Sequence, residues 1–135
     1  MAWIQSLIRL ADLEIEQLQK RAKEVYDRRV ALEMILASLE QEAQSEAAHA
    51  QTDAEFGFYL VGFREGWKLR KAKAQSQLAA VKLEEQGVRD ALTNAFEGQK
   101  KYENVAESAR VAKAKVMDRI ESAELDEIAM RSGAR

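Results

Sequence analysis

A chain of 135 residues with 47% hydrophobic and 33% charged side chains, no proline and only six glycines has one domain's length and little to interrupt a helix. Without cysteine, and with His49 as the one histidine, it offers no disulfide, thiol nucleophile, thiolate metal site or histidine cluster. The formal net charge of −2 argues against a nucleic-acid partner, and the composition predicts an all-α protein.

The opening residues, Met1-Ala2-Trp3-Ile4-Gln5, carry no basic leader, and no window approaches the ~18 apolar residues of a membrane span. Neither standard export nor direct membrane insertion is expected. Stepping by three and four from Met1 gives Ile4, Ile8, Ala11, Ile15, Leu18, Ala22, Val25, Arg29, Leu32, Leu36 and Leu39, apolar at every step but Arg29. That spacing is a coiled-coil seam, because residues three and four apart share a helix face. It predicts a first helical arm over 1–53.

The stretch from His49 to Gly57 is polar until Phe56, with Thr52 or Asp53 placed to cap a helix start and Gly57 able to take the positive φ of a chain reversal. A turn over 54–58, centred near residue 57, follows. His49 lies in this polar stretch, where a lone histidine is far more often solvated than a ligand.

A second seam runs through Leu78, Val81, Glu85, Val88, Leu92, Ala95, Gln99, Tyr102, Ala106, Ala109, Lys113, Val116, Ile120 and Ala123, predicting a second arm over 59–130 and a frayed tail over 131–135. Setting the polar exceptions Arg29 and Glu85 opposite each other also places the fold point at Gly57. The same register pairs Leu36 with Leu78, Ala22 with Leu92, Ile15 with Gln99 and Ile8 with Ala106. An ion pair inside a seam adds little net stability but specifies alignment, so Arg29 and Glu85 are expected to act as a register pair.

Charge gives the same fold independently. No Lys or Arg occurs from Val30 to Phe63, whereas Arg64, Lys68, Arg70, Lys71 and Lys73 follow within ten residues. Folding near residue 57 lays the acidic stretch beside the basic one. The fold expected is therefore an antiparallel coiled-coil hairpin of two long helices, the second longer than the first. Beyond Lys113, which faces Met1, about 22 residues would add roughly 30 Å of helix without a mate, still carrying Val116, Ile120 and Ala123. Apolar residues so placed call for another surface to cover them.

No glycine-rich phosphate loop, HExxH or Ser-His-Asp arrangement is present, and carboxylates on a helix pair lack a cavity to tune them. No catalytic, cofactor-binding or metal residue is expected, and the chain is not expected to be an enzyme. The sharpest local signal is the cluster Phe56, Phe58, Tyr59, Phe63 and Trp67, five of nine aromatics within twelve residues. It reads either as a plug closing the tip or as a contact surface. Two helices have too little interior for five rings, which favours a partner site led by Phe63 and Trp67. In the expected register Leu60, Arg64 and Trp67 lie on the seam and Phe63 does not. Gly57, Gly62 and Gly66 either thin the helix for a partner or form a longer, irregular turn.

Three segments carry a family resemblance: Leu7-Ile8-Arg9-Leu10-Ala11-Asp12-Leu13-Glu14-Ile15-Glu16, the stretch from Tyr59-Leu60-Val61-Gly62-Phe63 to Gln77-Leu78, and Glu124-Leu125-Asp126-Glu127-Ile128-Ala129-Met130-Arg131. Together they resemble the FliJ family of bacterial flagellar export, related to the YscO-type proteins of injectisomes. The resemblance implies a stalk similar to the γ subunit of rotary ATPases. Its paired termini would enter the ring of the export ATPase hexamer through Ile4, Leu7, Ile8, Val116, Ile120 and Ile128. The other end would meet the export gate, a membrane protein, through Phe56, Phe58, Tyr59, Phe63 and Trp67. Export chaperones are further implied partners, and the implied location is cytoplasmic, peripheral at the cytoplasmic membrane. The competing expectation is an oligomeric coiled-coil scaffold or membrane-associated adaptor, with Trp3, Ile4, Leu7, Ile8 and the overhang meeting another copy or a lipid surface.

Overall fold

The computed structural model describes residues 2–52 and 56–133, all of them helical. Helix α1 spans Ala2–Thr52 and helix α2 spans Phe56–Gly133, 51 and 78 residues long. They pack against each other as an antiparallel hairpin with the longer helix second, as the two heptad seams predict. The seam residues from Ile4 to Leu39 and from Leu78 to Ala109 are the ones that face inward, because each helix can bury only one stripe against a single neighbour.

Contacts group the chain into two units, Gln17–Leu92 and the paired ends Met1–Glu16 with Thr93–Arg135. In the first, Val25, Leu39, Leu60, Ala74 and Val81 are buried, Val25 completely. In the second, Ile4, Ala11 and Ile15 are buried, and Ala95, Gln99, Tyr102, Ala106 and Ala109 are half-buried opposite them. Gln99 Nε2 donates to Asp12 Oδ1, so a polar seam position of α2 is satisfied from α1. No side-chain polar atom is buried without a partner among the described residues.

Arg29 and Glu85 meet where the sequence sets them, with Arg29 Nε donating to Glu85 Oε2 at 2.7 Å. Arg29 Nη1 also donates to Glu33 Oε1 at 3.0 Å, and both members of the cross-helix pair are about three-quarters screened from water. One residue earlier on each helix, Glu84 Oε2 accepts from Arg28 at 2.5 Å, and it also accepts from Arg21, about two turns before Arg28, at 3.3 Å. Replacing an ion pair in a seam by well-packed apolar residues is often neutral or stabilising. Arg29→Leu with Glu85→Leu is therefore expected to raise the thermal midpoint by several degrees while loosening the alignment. Cross-linking between the helices should then show more than one register, and a single unchanged register would show that alignment is set elsewhere.

The Arg28 hydrogen bond, aided by the charges of Arg28 and Arg21, holds the Glu84 carboxyl below its ordinary value of 4.5 against a smaller desolvation effect. A depressed carboxylate contributes stability that is complete above its unfolded pKa and is lost as pH falls through its folded one. The thermal midpoint should therefore be flat from neutrality to about pH 5 and fall below about pH 4, with a smaller fall in Glu84→Gln. Since these side chains are 41–46% exposed, the effect is modest. An equal acid response in Glu84→Gln would assign it to other carboxylates.

The mirrored charge runs also meet. Arg70 makes two bonds to the Glu42 carboxylate, at 3.2 and 3.3 Å, and Lys71 lies 3.7 Å from Glu40.

Three details of the turn region differ from expectation. Helix α1 ends at Thr52 and α2 begins at Phe56, so Gly57 is already inside α2, and no described glycine has a positive φ. Starting the helix at Phe56 aligns that ring with Leu60 on the inner face and against His49 at 5.6 Å, which offsets the roughly 1 kcal/mol that a helical glycine costs. Thr52 does not cap α2; its Oγ1 donates to the His49 carbonyl at 2.9 Å, closing the end of α1. Asp53, Ala54 and Glu55 of the expected turn, Met1 at the head of the first seam and Ala134 and Arg135 of the expected tail lie outside the described residues. Gly62 and Gly66 are helical, so the irregular longer turn does not occur there.

The third difference is at the seam of α2, where Phe63 is half-buried and Arg64 is exposed. The inward positions run Leu60, Phe63, Trp67, Lys71, Ala74, with two successive steps of four. This is a stutter, which locally unwinds a coiled coil. It brings a ring to the interface in place of a guanidinium, exchanging a desolvation cost for roughly 2 kcal/mol of apolar burial.

Candidate partner-binding surfaces

The start of α2 presents two distinct faces. Its inner flank holds a run of rings, with Phe56 and Tyr59 at 5.1 Å and Tyr59 stacked on Phe63 at 6.4 Å. Arg70 lies 5.9 Å above Phe63, and Lys71 lies 4.8 Å above Trp67. The Trp67 indole N–H donates to the Leu39 carbonyl at 2.6 Å, so half of this side chain is committed to holding α1. Phe56, Phe63 and Trp67 are half-buried as a partial plug between the helices, whereas Tyr59, which lies against Phe56 and Phe63, is 59% exposed.

The outer face is different. Phe58 is 88% exposed, and Val61 and Leu69 follow it at 65% and 74%. With Gly62 and Glu65 between them these residues lie on one stripe, as the spacing 58, 61/62, 65, 69 requires. A Cβ added at Gly62 would meet nothing within 4 Å, so the glycine leaves a shallow notch between Phe58 and Leu69. Val61 and Leu69 were not singled out by sequence, although their spacing from Phe58 is the signal that marks them. Beside this stripe, Arg64 is exposed and makes no ion pair among the described residues.

At the paired ends, cover stops at Ala109, and every residue from Arg110 to Gly133 is exposed. The apolar side chains left in water include Val116, Met117, Ile120, Leu125, Ile128 and Met130. Arg110 grips Glu107 where cover ends, at 2.6 and 3.0 Å. That bond first, and the charge of Arg110 second, hold the Glu107 carboxyl below its ordinary value. An open groove of about 720 Å³ lies alongside, lined by Ile4, Gln5, Ile8, Ala106, Ala109 and Lys113 among others.

The α1 residues expected at this end divide. Ile4 is buried against α2, Leu7 and Ile8 are half-buried, and Trp3, Leu10 and Leu13 are the exposed apolar side chains nearby. His49 is exposed with its ring against Phe56. Among the described residues no group of three or more His, Cys, Asp or Glu side chains could hold a metal ion, and no helix is long and apolar enough to cross a membrane.

Two curated relatives from two strains of Caulobacter vibrioides, each named flagellar FliJ protein, are 46% identical to this chain over 132 residues, covering 98% of it and 95% of their own length. No family model matches the chain, and no solved structure matches it.

Proposed function

The chain belongs to the FliJ family, and from that premise we propose that it is a non-catalytic stalk and escort of the flagellar protein-export apparatus. In this reading the paired termini enter the ring of the export ATPase, and the start of α2 contacts the membrane-embedded export gate. The observation that carries it is the uncovered apolar stripe of α2 beyond Ala109. Such a stripe is stable in water only at a cost in exposed apolar surface, and a ring lumen would remove that cost along the helix's whole circumference. Val116, Ile120 and Ile128 line the ring, with Leu7 and Ile8 at its mouth.

The outer stripe Phe58–Val61–Gly62–Leu69 supports the gate contact. Exposed aromatic and aliphatic anchors around a notch are the form that a binding hot spot takes, and the adjacent Arg64 favours an acidic rim on the partner. The half-buried rings Phe56, Phe63 and Trp67 would brace this stripe from behind. Export chaperones would use exposed apolar positions of the same helices. The protein would then work in the cytoplasm, peripheral at the cytoplasmic membrane through its partners.

The test is direct. The purified chain should co-sediment with the export ATPase of its own organism and raise its hydrolysis rate severalfold. A chain that neither binds nor stimulates the ATPase refutes the assignment.

A further inference from the structure

We propose that the uncovered end of α2 also pairs with the same segment of a second copy of this chain, antiparallel, about a two-fold axis at Ile120. The face for it is continuous with the hairpin's own seam. After Ala109 the inward stripe passes through Lys113, Val116, Ile120, Ala123, Glu127 and Met130, with Met117 and Ile128 on its flank. The only charged residues at its centre line are Lys113 near one end and Glu127 near the other.

Charge order selects the second copy and its direction. From Arg110 to Arg119 the segment is basic, with Arg110, Lys113, Lys115 and Arg119 against Asp118, and from Glu121 to Glu127 it is purely acidic. Two such segments laid parallel would set Lys113 on Lys113 and Glu127 on Glu127. Laid antiparallel about Ile120 they set Lys113 on Glu127 twice, Arg119 on Glu121 twice, and Ile120 on its own symmetry mate. Among the described residues Lys113 makes no ion pair, and Glu127 takes Arg131 at 2.8 Å on one of its two oxygens.

Length supports the same pairing. The segment from Arg110 to Gly133 is roughly 35 Å of helix. A second copy centred on Ile120 would cover it from about the point where α1 ends its cover to about the helix terminus, and it would run in the same direction as α1. Each α2 would thus exchange one antiparallel mate for another without a change of face. A two-stranded contact this short associates only weakly, so the dimer belongs to concentrated protein and yields to any tighter occupant of the stripe.

The test uses the full chain alone, by sedimentation equilibrium over a wide concentration range at low salt. The mass should pass from monomer to dimer. Lys113→Glu should shift the midpoint to roughly tenfold higher concentration because the pair occurs twice, and Glu127→Lys should do the same. Lys113→Glu with Glu127→Lys should return it near the starting value, and a chain ending at Ser108 should stay monomeric. A monomer at every concentration, single reversals without effect (the parallel result), or a dimer that survives truncation would each overturn the proposal. No ATPase is present in this measurement, so its failure and the failure of the ring assignment are distinguishable.

Discussion

Ending the chain at Ser108 is expected to abolish stimulation of the export ATPase while the remaining hairpin stays folded. The cut removes one covered residue, the half-buried Ala109, and the fully exposed stretch 110–133. No cross-helix hydrogen bond or ion pair described above lies beyond it, and the unit Gln17–Leu92 is untouched. Circular dichroism should lose only the signal of about one-fifth of the helix, with the thermal midpoint changed by no more than a few degrees. Stimulation at the full rate by the shortened chain would defeat the ring assignment. A milder pair, Val116→Asp with Ile120→Asp, should reduce stimulation at least tenfold, since two carboxylates would replace apolar side chains of the stripe proposed to meet the ring.

The second large effect is expected at the outer stripe of α2. Phe58→Ala with Leu69→Ala should weaken binding to the export gate roughly hundredfold, the loss expected when two exposed apolar anchors of a hot spot are truncated. Because these side chains are 88% and 74% exposed, the thermal midpoint should not move measurably. Phe63→Ala with Trp67→Ala is a different experiment. It should weaken the gate contact and also destabilise the hairpin, because the Trp67 indole then no longer reaches the Leu39 carbonyl. Unaltered affinity in the Phe58 and Leu69 variant would move the gate contact elsewhere.

The hairpin was legible because two helices have only one way to hide their apolar residues. The strict three-four spacing from Ile4 to Leu39 and from Leu78 to Ala109 had to face inward, and Arg29 could be tolerated there only opposite a carboxylate. The acidic and basic runs that follow gave Arg70 and Lys71 their partners for the same reason. What was not legible is local. Stepping back through Lys71 by heptads selects Arg64, and nothing in the pattern announces that the helix will shift by one residue to present Phe63. Gly57 was read as the corner because glycine permits a positive φ, but permission is not requirement, and Phe56 drew the helix past it.

The aromatic cluster shows a similar limit. Five rings in twelve residues signalled a surface, yet composition cannot divide them between the two sides of a helix. The angular spacing can: Phe58 stands with Val61 and Leu69, and Phe56 with Leu60, Phe63 and Trp67. The overhang was visible from the difference in arm lengths alone. Its missing cover from Arg110 onward follows from where α1 begins, whereas the apolar residues outside the heptad, Met117 and Leu125, were not visible in the seam.

Trp67 has one more use. Its indole sits half-buried and bonded to a main-chain oxygen of α1, while Trp3, the other indole, is 57% exposed. With Trp3→Phe the molecule becomes a single-fluorophore reporter whose emission should shift to the red when α1 and α2 separate at that level. Opening of the hairpin near its corner could then be timed optically in the purified chain, without attaching a dye.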